Sequence, residues 1–157
     1  MSVAFHGNRG AFLDTIAVSE IGYEIMSKSD NGYNVLVGST PNNILTFPSY
    51  ETHPHILNKD LNSTAAGRYQ LLYRYYQVYS PLLDLDDFSP KSQDEIAIQQ
   101  ISECRALKDI DDGNFESAIK KVSHIWASLP YAQYNQHVNS LASLKEAYLK
   151  AGGQSSS

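Results

Sequence analysis

Apolar residues recur at helical spacing along most of the chain, and this periodicity limits the possible folds more than any other feature. The first stripe lies between residues 9 and 19 and consists of Phe12, Leu13, Ile16 and Ala17. Recurrence at intervals of three and four residues is typical of an amphipathic helix with one buried face. The chain is therefore expected to begin with a helix that packs into a hydrophobic core.

The second half of the chain predicts further helices. We expect one over residues 67–79, one that begins at Pro90, one capped by Asn114 and a last one that ends at Gly152. Proline is favoured in the first turn of a helix, where its missing N–H costs nothing, and glycine is favoured just after the end. The helical part thus makes up most of the sequence.

Residues 31–60 interrupt the helical pattern. Turn residues at 30–32 precede the β-branched and aromatic segment 33–38, and a second turn at Pro41 precedes segment 44–47. This pattern is typical of a small hairpin or three-stranded sheet. We therefore predict an α+β fold, with a mainly helical lobe and a small β-hairpin lobe, in a single domain over residues 1–157. The polar tail at 154–157 is expected to be frayed.

Composition excludes several classes of function. A formal net charge of −5 without a basic cluster argues against a nucleic-acid partner. The single cysteine, Cys104, excludes an intrachain disulfide, and His53 and His55 lack the spacing of a metal site. No apolar run has the length of a signal peptide or a membrane span. We expect no cofactor, no metal and no membrane binding.

Glu20 is the residue most suggestive of chemistry. It falls four residues after Ile16 on the same apolar stripe, close to the end of the first helix. Lost hydration and the negative potential of a helix C-terminus would both raise its pKa, as a general acid requires. A side chain turned outward at a frayed helix end is the alternative.

A glycosidase usually has a second carboxylate across the scissile bond. The available candidates are scattered, and none lies in a recognisable partner motif: Asp14, Glu24, Asp30, Glu51 and Asp60. Asp14 lies off the apolar stripe and is expected to be solvated. A mechanism with a single acid, in which a hydroxyl of the substrate closes onto its own anomeric carbon, would not need a partner.

Five segments, in order along the chain, resemble the lambda-type phage lysozymes. Ala-Phe-Leu-Asp at 11–14 and Ser-Glu at 19–20 come first, and Ser-Thr-Ala-Ala-Gly-Arg-Tyr-Gln-Leu-Leu follows at 63–72. Phe-Ser-Pro-Lys-Ser-Gln-Asp at 88–94 and Ile-Trp-Ala-Ser-Leu-Pro at 125–130 complete the set. The resemblance implies a lysozyme-like fold in which the two lobes flank an active-site cleft.

The same resemblance implies a phage endolysin that is a lytic transglycosylase, with Glu20 as its catalytic acid and base. Such an enzyme cleaves the β-1,4 bond between N-acetylmuramic acid and N-acetylglucosamine in peptidoglycan and leaves 1,6-anhydromuramic acid. A hydrolytic muramidase and a non-catalytic wall-binding module are the alternatives. Ile21-Gly22 departs from the Gly-Thr of the family, and Asn34 replaces an aspartate, so Asn34 cannot serve as a second carboxylate.

The resemblance also implies a set of substrate-binding residues. Residues 67–70 look like the Gly-x-x-Gln element of lytic transglycosylases, and residues 134–136 match a Tyr-x-Gln element. The substrate-binding candidates are Tyr33, Arg68, Tyr69, Gln70, Tyr134 and Gln136. Packing for Tyr69 and a surface position for Arg68 are the alternatives for those two residues, and Trp126 is expected in the core.

The partners that the resemblance implies are peptidoglycan glycan strands and a holin. The holin would release a protein that stays in the host cytoplasm until it reaches the periplasm and cell wall. The protein is expected to act as a monomer.

Overall fold

The computed structural model describes residues 1–132 and 138–156. Within them the chain forms seven α-helices. They are α1 Gly7–Glu20, α2 Tyr23–Ser27, α3 Tyr73–Leu82, α4 Pro90–Glu103, α5 Leu107–Asp111, α6 Phe115–Val122 and α7 Leu141–Lys150. The residues divide into two compact units, of which the first comprises Met1–Glu20 with Ala97–Ser157 and the second Ile21–Ile96. No helix among the described residues is long and apolar enough to cross a membrane.

The core of the first unit is built around α1. The stripe of four apolar residues that predicted this helix is fully buried, and α1 packs against α5 and α7. Phe115 of α6 contacts both Phe12 and Tyr148, with ring centroids 6.0 and 4.8 Å apart. Trp126 is also buried, so its expected place in the core is confirmed.

Two expectations for this unit are wrong. Asp14 is buried rather than solvated, because α1 is covered on all sides and the carboxylate accepts a hydrogen bond of 2.8 Å from the Ser2 amide. The tail is not frayed at residues 154–156. The Gln154 amide donates to Asn8 Oδ1 at 2.9 Å, and the Ser156 amide donates to the Gly113 carbonyl at 3.0 Å.

Helix ends in the second half of the chain follow the sequence signals closely. Helix α4 begins at Pro90, Asn114 occupies the N-cap position of α6 without a side-chain cap hydrogen bond, and α7 ends shortly before Gly152. The cap of α7 is Ser140, whose hydroxyl accepts a hydrogen bond of 3.1 Å from the Ser143 amide. These three predictions are confirmed to within a residue or two, which is the normal uncertainty of a helix boundary.

The hairpin lobe expected over residues 31–60 is not confirmed as regular strands. The described residues contain isolated antiparallel bridges, among them Val35 with Thr46 and Leu36 with Ala66. Gly38 has a positive φ of 90°, and the Ser39 hydroxyl accepts the Leu45 amide at 2.9 Å. A turn residue and a side-chain acceptor therefore end the ladder after a few bonds.

The helix expected over 67–79 is wrong in its first part, since α3 begins at Tyr73. Residues 67–70 form a tight turn that is closed by an antiparallel bridge between Ala66 and Leu71. Gly67 and Gln70 both have positive φ, of 87° and 53°. A Cβ at Gly67 would lie 2.4 Å from Gln93 Oε1, so the turn needs glycine at this point.

The second unit has its own apolar core, which lies beneath this turn. Its members come from the bridged loops, from α3, from the segment just before α4 and from α4 itself. They are Phe47, Ala66, Leu71, Tyr76, Phe88 and Ile96. The turn at residues 67–70 is therefore held by a packed core rather than by a sheet.

Candidate active site

Glu20 is the last residue of α1, and it is partly buried in the folded protein. The hydroxyl of Ser128 donates a hydrogen bond to Glu20 Oε2. Burial raises the pKa of Glu20 from its usual 4.5 to about 7, although hydrogen bonds from the Ser128 hydroxyl and backbone act in the opposite direction. Desolvation penalises the charged form, and here it outweighs the hydrogen bonds that favour that form.

Ser128 is itself fixed by two further residues of the same unit. Its Oγ lies 2.7 Å from Ser19 Oγ, and its carbonyl accepts a hydrogen bond of 2.8 Å from the backbone N–H of Asn139. The Asn139 side chain donates to the Ser19 carbonyl and hydroxyl, both at 3.1 Å. Four polar residues thus form one connected network that ends on the carboxyl group.

The sequence interpretation did not identify Ser128, Ser19 or Asn139 as functional. Ser128 lies within the segment 125–130 and Ser19 directly precedes Glu20, so both were inside segments that carry the family resemblance. Asn139 gave no such signal. A polar residue in an otherwise apolar segment was the one clue available for Ser128.

A carboxyl group with a pKa near 7 can act both as a proton donor and as a proton acceptor at neutral pH. It is protonated often enough to donate a proton and ionised often enough to accept one. Such a pKa would suit a general acid and base, and the catalytic role of Glu20 stays a prediction.

Three of the substrate-binding candidates lie together in the second unit, around Asp94. The Tyr33 hydroxyl donates to Asp94 Oδ1 at 2.9 Å, and the Tyr69 hydroxyl donates to the same oxygen at 2.5 Å. Arg68 Nη1 donates to the Tyr69 hydroxyl at 3.0 Å. Burial raises the pKa of the Tyr69 hydroxyl well above its usual value, so that it remains a donor.

Gln93 and Asn31 complete this network. Gln93 accepts the Arg68 amide at 2.9 Å and donates to the Tyr33 carbonyl at 3.0 Å. Arg68 Nε donates to the Asn31 carbonyl at 3.0 Å. Because Gln93 and Asp94 lie in the segment 88–94, the resemblance pointed to this region without revealing the contacts.

Burial decides what these side chains do in the folded protein. Tyr33, Arg68 and Tyr69 are 2%, 1% and 5% exposed, and their polar ends contact one another or Asp94. They hold the turn at residues 67–70 against α4, and their contact with substrate stays a prediction. Gln70 is partly exposed, and its Nε2 donates to the Gly67 carbonyl at 2.8 Å.

Tyr134 and Gln136 lie outside the described residues. Over residues 1–132 and 138–156, no group of three or more His, Cys, Asp or Glu side chains could hold a metal ion. Cys104 is partly exposed beside His124, with Sγ and Nε2 3.7 Å apart.

Comparison with known proteins places this chain in a family. The sequence model of the endolysin family matches residues 10–155. The endolysin of Escherichia phage lambda is 46% identical over 155 residues, covering 96% of this chain and 95% of the relative. The endolysin of Escherichia phage P2 is 42% identical over 156 residues and covers 94% of each chain.

Solved structures agree with the sequence matches. Bacteriophage lambda lysozyme complexed with a chitohexasaccharide matches with a TM-score of 0.86 and 44% identity, over 98% of this chain and 99% of that one. Lysozyme from bacteriophage lambda matches with a TM-score of 0.83 over the same shares. The fold is therefore lysozyme-like and mostly helical. The matched endolysins and lysozymes define a class of enzymes that degrade peptidoglycan. The chain belongs to the endolysin family.

Proposed function

We propose that the protein is a lytic transglycosylase that cleaves the β-1,4 bond between N-acetylmuramic acid and N-acetylglucosamine. The observation that carries the proposal is the partly buried, desolvated carboxyl of Glu20, whose pKa of about 7 suits a group that both donates and accepts a proton. The chitohexasaccharide in the related lambda lysozyme supports a β-1,4-linked glycan as the ligand class.

The first step is protonation of the leaving group. Glu20 donates its proton to the glycosidic oxygen as the bond between that oxygen and C1 of N-acetylmuramic acid breaks. The oxygen leaves as the 4-hydroxyl of N-acetylglucosamine, and positive charge develops at C1. Glu20 becomes a carboxylate, which the Ser128 hydroxyl stabilises as a hydrogen-bond donor.

The second step closes the ring. The Glu20 carboxylate accepts the proton of the muramic acid C6 hydroxyl while that oxygen bonds to C1. The product is the 1,6-anhydro sugar, Glu20 is protonated again, and no water is consumed. One carboxyl group thus serves both steps.

A hydrolytic muramidase is the second candidate, and it needs another carboxylate or a held water. Asp14 shares α1 with Glu20, but its carboxylate accepts the Ser2 amide and lies 3.8 Å from the N-terminal nitrogen. Asn34 carries no carboxylate at all. Asp14 and Asn34 are therefore poor candidates for the second carboxylate of a hydrolase.

Membership of the family also supports proposals about the domain, the glycan-binding residues, the release and the oligomeric state of this protein. We assign residues 1–157 to a single catalytic domain, because the family match over 10–155 includes residues of both units. Gln70, Tyr134 and Gln136 are proposed to contact the glycan. Arg68 is proposed to act with Tyr33 and Tyr69 in substrate binding by holding the turn that carries Gln70. Release by a holin and action as a monomer complete the proposal.

The experiment that tests this function follows the release of soluble fragments from purified peptidoglycan. The wild type is compared with Glu20→Gln, which keeps the shape of the side chain but cannot donate an acidic proton. Glu146→Gln, a substitution of an exposed glutamate on α7, is the matched control. The proposal expects release by the wild type and the control and a loss of roughly a thousandfold in Glu20→Gln. Undiminished release by Glu20→Gln would contradict it.

A further inference from the structure

The network behind Glu20 runs from the side-chain amide of Asn139 through Ser19 and Ser128 to the carboxyl group. The Asn139 side-chain nitrogen is a donor only, and it donates to Ser19 Oγ at 3.1 Å. Ser19 Oγ therefore accepts this hydrogen bond, and its own proton is not used in it. Its own proton is available for Ser128 Oγ, which lies 2.7 Å away.

A serine hydroxyl has one proton to donate and can accept others. If Ser128 accepts from Ser19, its own proton points to Glu20 Oε2, which is the contact that the structure shows. Asn139, Ser19 and Ser128 thus form a chain of donors that ends on one named carboxyl oxygen.

We propose that Ser128, ordered by Ser19 and Asn139, is a positioning residue that reserves Oε2 of Glu20 as an acceptor and so directs the acidic proton onto Oε1. This inference rests on the proposed function of Glu20 as acid and base, and it adds which oxygen acts. A proton kept on one oxygen needs no rotation of the carboxyl group before transfer, because the group is preorganised. After transfer, the same donor stabilises the carboxylate until the proton returns.

The electrostatic surroundings fit this role. The influences on the pKa of Glu20 are burial, then the Ser128 hydroxyl, then the Ser128 backbone. A coulombic influence from a charged side chain is not among them within the described residues. Ser128 is therefore the side chain whose removal should move the titration of Glu20.

The test measures the pKa of Glu20 directly, by NMR titration of protein labelled with ¹³C at glutamate carboxyl groups. The Glu20 signal is assigned by its loss in Glu20→Gln. We expect the pKa to rise by about one unit in Ser128→Ala, by less in Asn139→Ala, and to stay in place in Ser128→Thr, which restores the hydroxyl. Ser123→Ala, which removes a buried hydroxyl bonded to the Lys120 carbonyl at 2.9 Å, is the matched control.

Turnover of peptidoglycan supplies the second readout. We expect kcat to fall roughly tenfold in Ser128→Ala, with the alkaline limb of its pH profile displaced upward, and Ser128→Thr to recover both. An unchanged pKa and pH profile in Ser128→Ala would overturn the inference while leaving the proposed function intact. If Ser128→Ala does not fold, an unchanged pKa in Asn139→Ala overturns it instead.

The two proposals fail in different ways. Because the NMR titration needs no turnover, a wild type that releases no fragments would defeat the proposed function alone. The positioning role of Ser128 would still be decided by the pKa of Glu20 in the resting protein.

Discussion

The Ser128 hydroxyl donates to the carboxyl group of Glu20, although 108 residues separate the two in sequence. This hydrogen bond favours the charged form of Glu20, whereas burial of the carboxyl group disfavours it. The pKa of about 7 shows that burial is the larger effect. Between pH 4.5 and 7 the folded protein thus keeps a proton on Glu20 that the unfolded chain loses. Because of this raised pKa, the free energy of unfolding falls as pH rises.

The first prediction is that Glu20→Gln becomes more stable relative to the wild type as pH rises. The pKa of Glu20 is near 4.5 when unfolded and about 7 when folded, so between these values the folded state binds the extra proton. The free energy of unfolding of the wild type therefore contains a contribution that is complete below pH 4.5 and lost as pH passes 7. The variant lacks this contribution, and the stability difference should change by up to about 3 kcal/mol.

Urea denaturation at several pH values between 4 and 8 measures this difference. Glu146→Gln again serves as the control, since its exposed side chain should leave the pH dependence of the wild type unaltered. A difference between Glu20→Gln and the wild type that stays constant over this range would show that the pKa of Glu20 is not raised in the folded protein.

A second prediction concerns the two tyrosines that donate to Asp94. Tyr69→Phe removes both a donor to a buried carboxylate and the acceptor of Arg68, whereas Tyr33→Phe removes a donor alone. We expect losses in the free energy of unfolding of about 3 kcal/mol and about 1.5 kcal/mol. Chemical denaturation measures both, with Tyr75→Phe on the exposed side of α3 as control. Equal, negligible losses would mean that the network does not hold the turn.

Gly67→Ala is the third prediction, and it separates two effects of the added Cβ. Gly67 and Gly152 both have positive φ, of 87° and 96°, so alanine is strained by about 1 kcal/mol at either position. At Gly67 the Cβ also meets Gln93 Oε1 at 2.4 Å, whereas no atom lies within 4 Å at Gly152. We expect Gly67→Ala to cost about 2 kcal/mol more than Gly152→Ala in thermal or urea denaturation. Equal losses in the free energy of unfolding would show that the Gln93 side chain moves away from the added Cβ without cost.

The fourth prediction is a loss of stability in acid that depends on His53. This buried ring contacts the Leu71 carbonyl through Nε2 at 2.7 Å and accepts the His55 amide on Nδ1 at 3.0 Å. Burial lowers the pKa of His53 below its usual 6.5, so the unfolded chain takes up the proton first and stability falls as pH drops below about 6.5. As pH falls, this loss of stability opposes the gain in stability that protonation of Glu20 provides.

Comparison of variants isolates the histidine. His53→Gln should show no such loss, so its stability relative to the wild type should improve between pH 6.5 and 5 in urea denaturation. His6→Gln, at an exposed position, should follow the wild type. A parallel decline in His53→Gln and the wild type would assign the acid sensitivity to another group.

Helices with strong periodicity and end signals were predictable from sequence alone. The apolar stripe that ends at Glu20 predicted α1, and Pro90 and Asn114 predicted the starts of α4 and α6. The helix expected from residue 67 failed because Tyr69 and Leu72 have helical spacing only by coincidence. Gly67 and Gln70 have positive φ, and tertiary contacts of Arg68 hold this conformation.

The site was predictable in its central residue but not in its support. Glu20 follows from a carboxylate on a buried stripe, which local sequence reveals. Ser128 and Asn139 reach it only through the fold, and periodicity carries no information about contacts over such separations. Arg68, Tyr69 and Tyr33 were grouped by resemblance as glycan contacts. In the structure these side chains are buried, and their polar ends contact one another and Asp94. The order of polar and apolar residues in the sequence could not indicate these contacts.

The most direct test of the central claim is the chemistry of the new sugar ends. Purified peptidoglycan is digested with the wild type and with Glu20→Gln, and the soluble fragments are analysed by mass spectrometry. The account predicts 1,6-anhydromuramic ends, one water lighter than reducing ends, which are lost in Glu20→Gln. Reducing muramic acid ends from the wild type would contradict the transglycosylase mechanism and would require a second catalytic group beside Glu20.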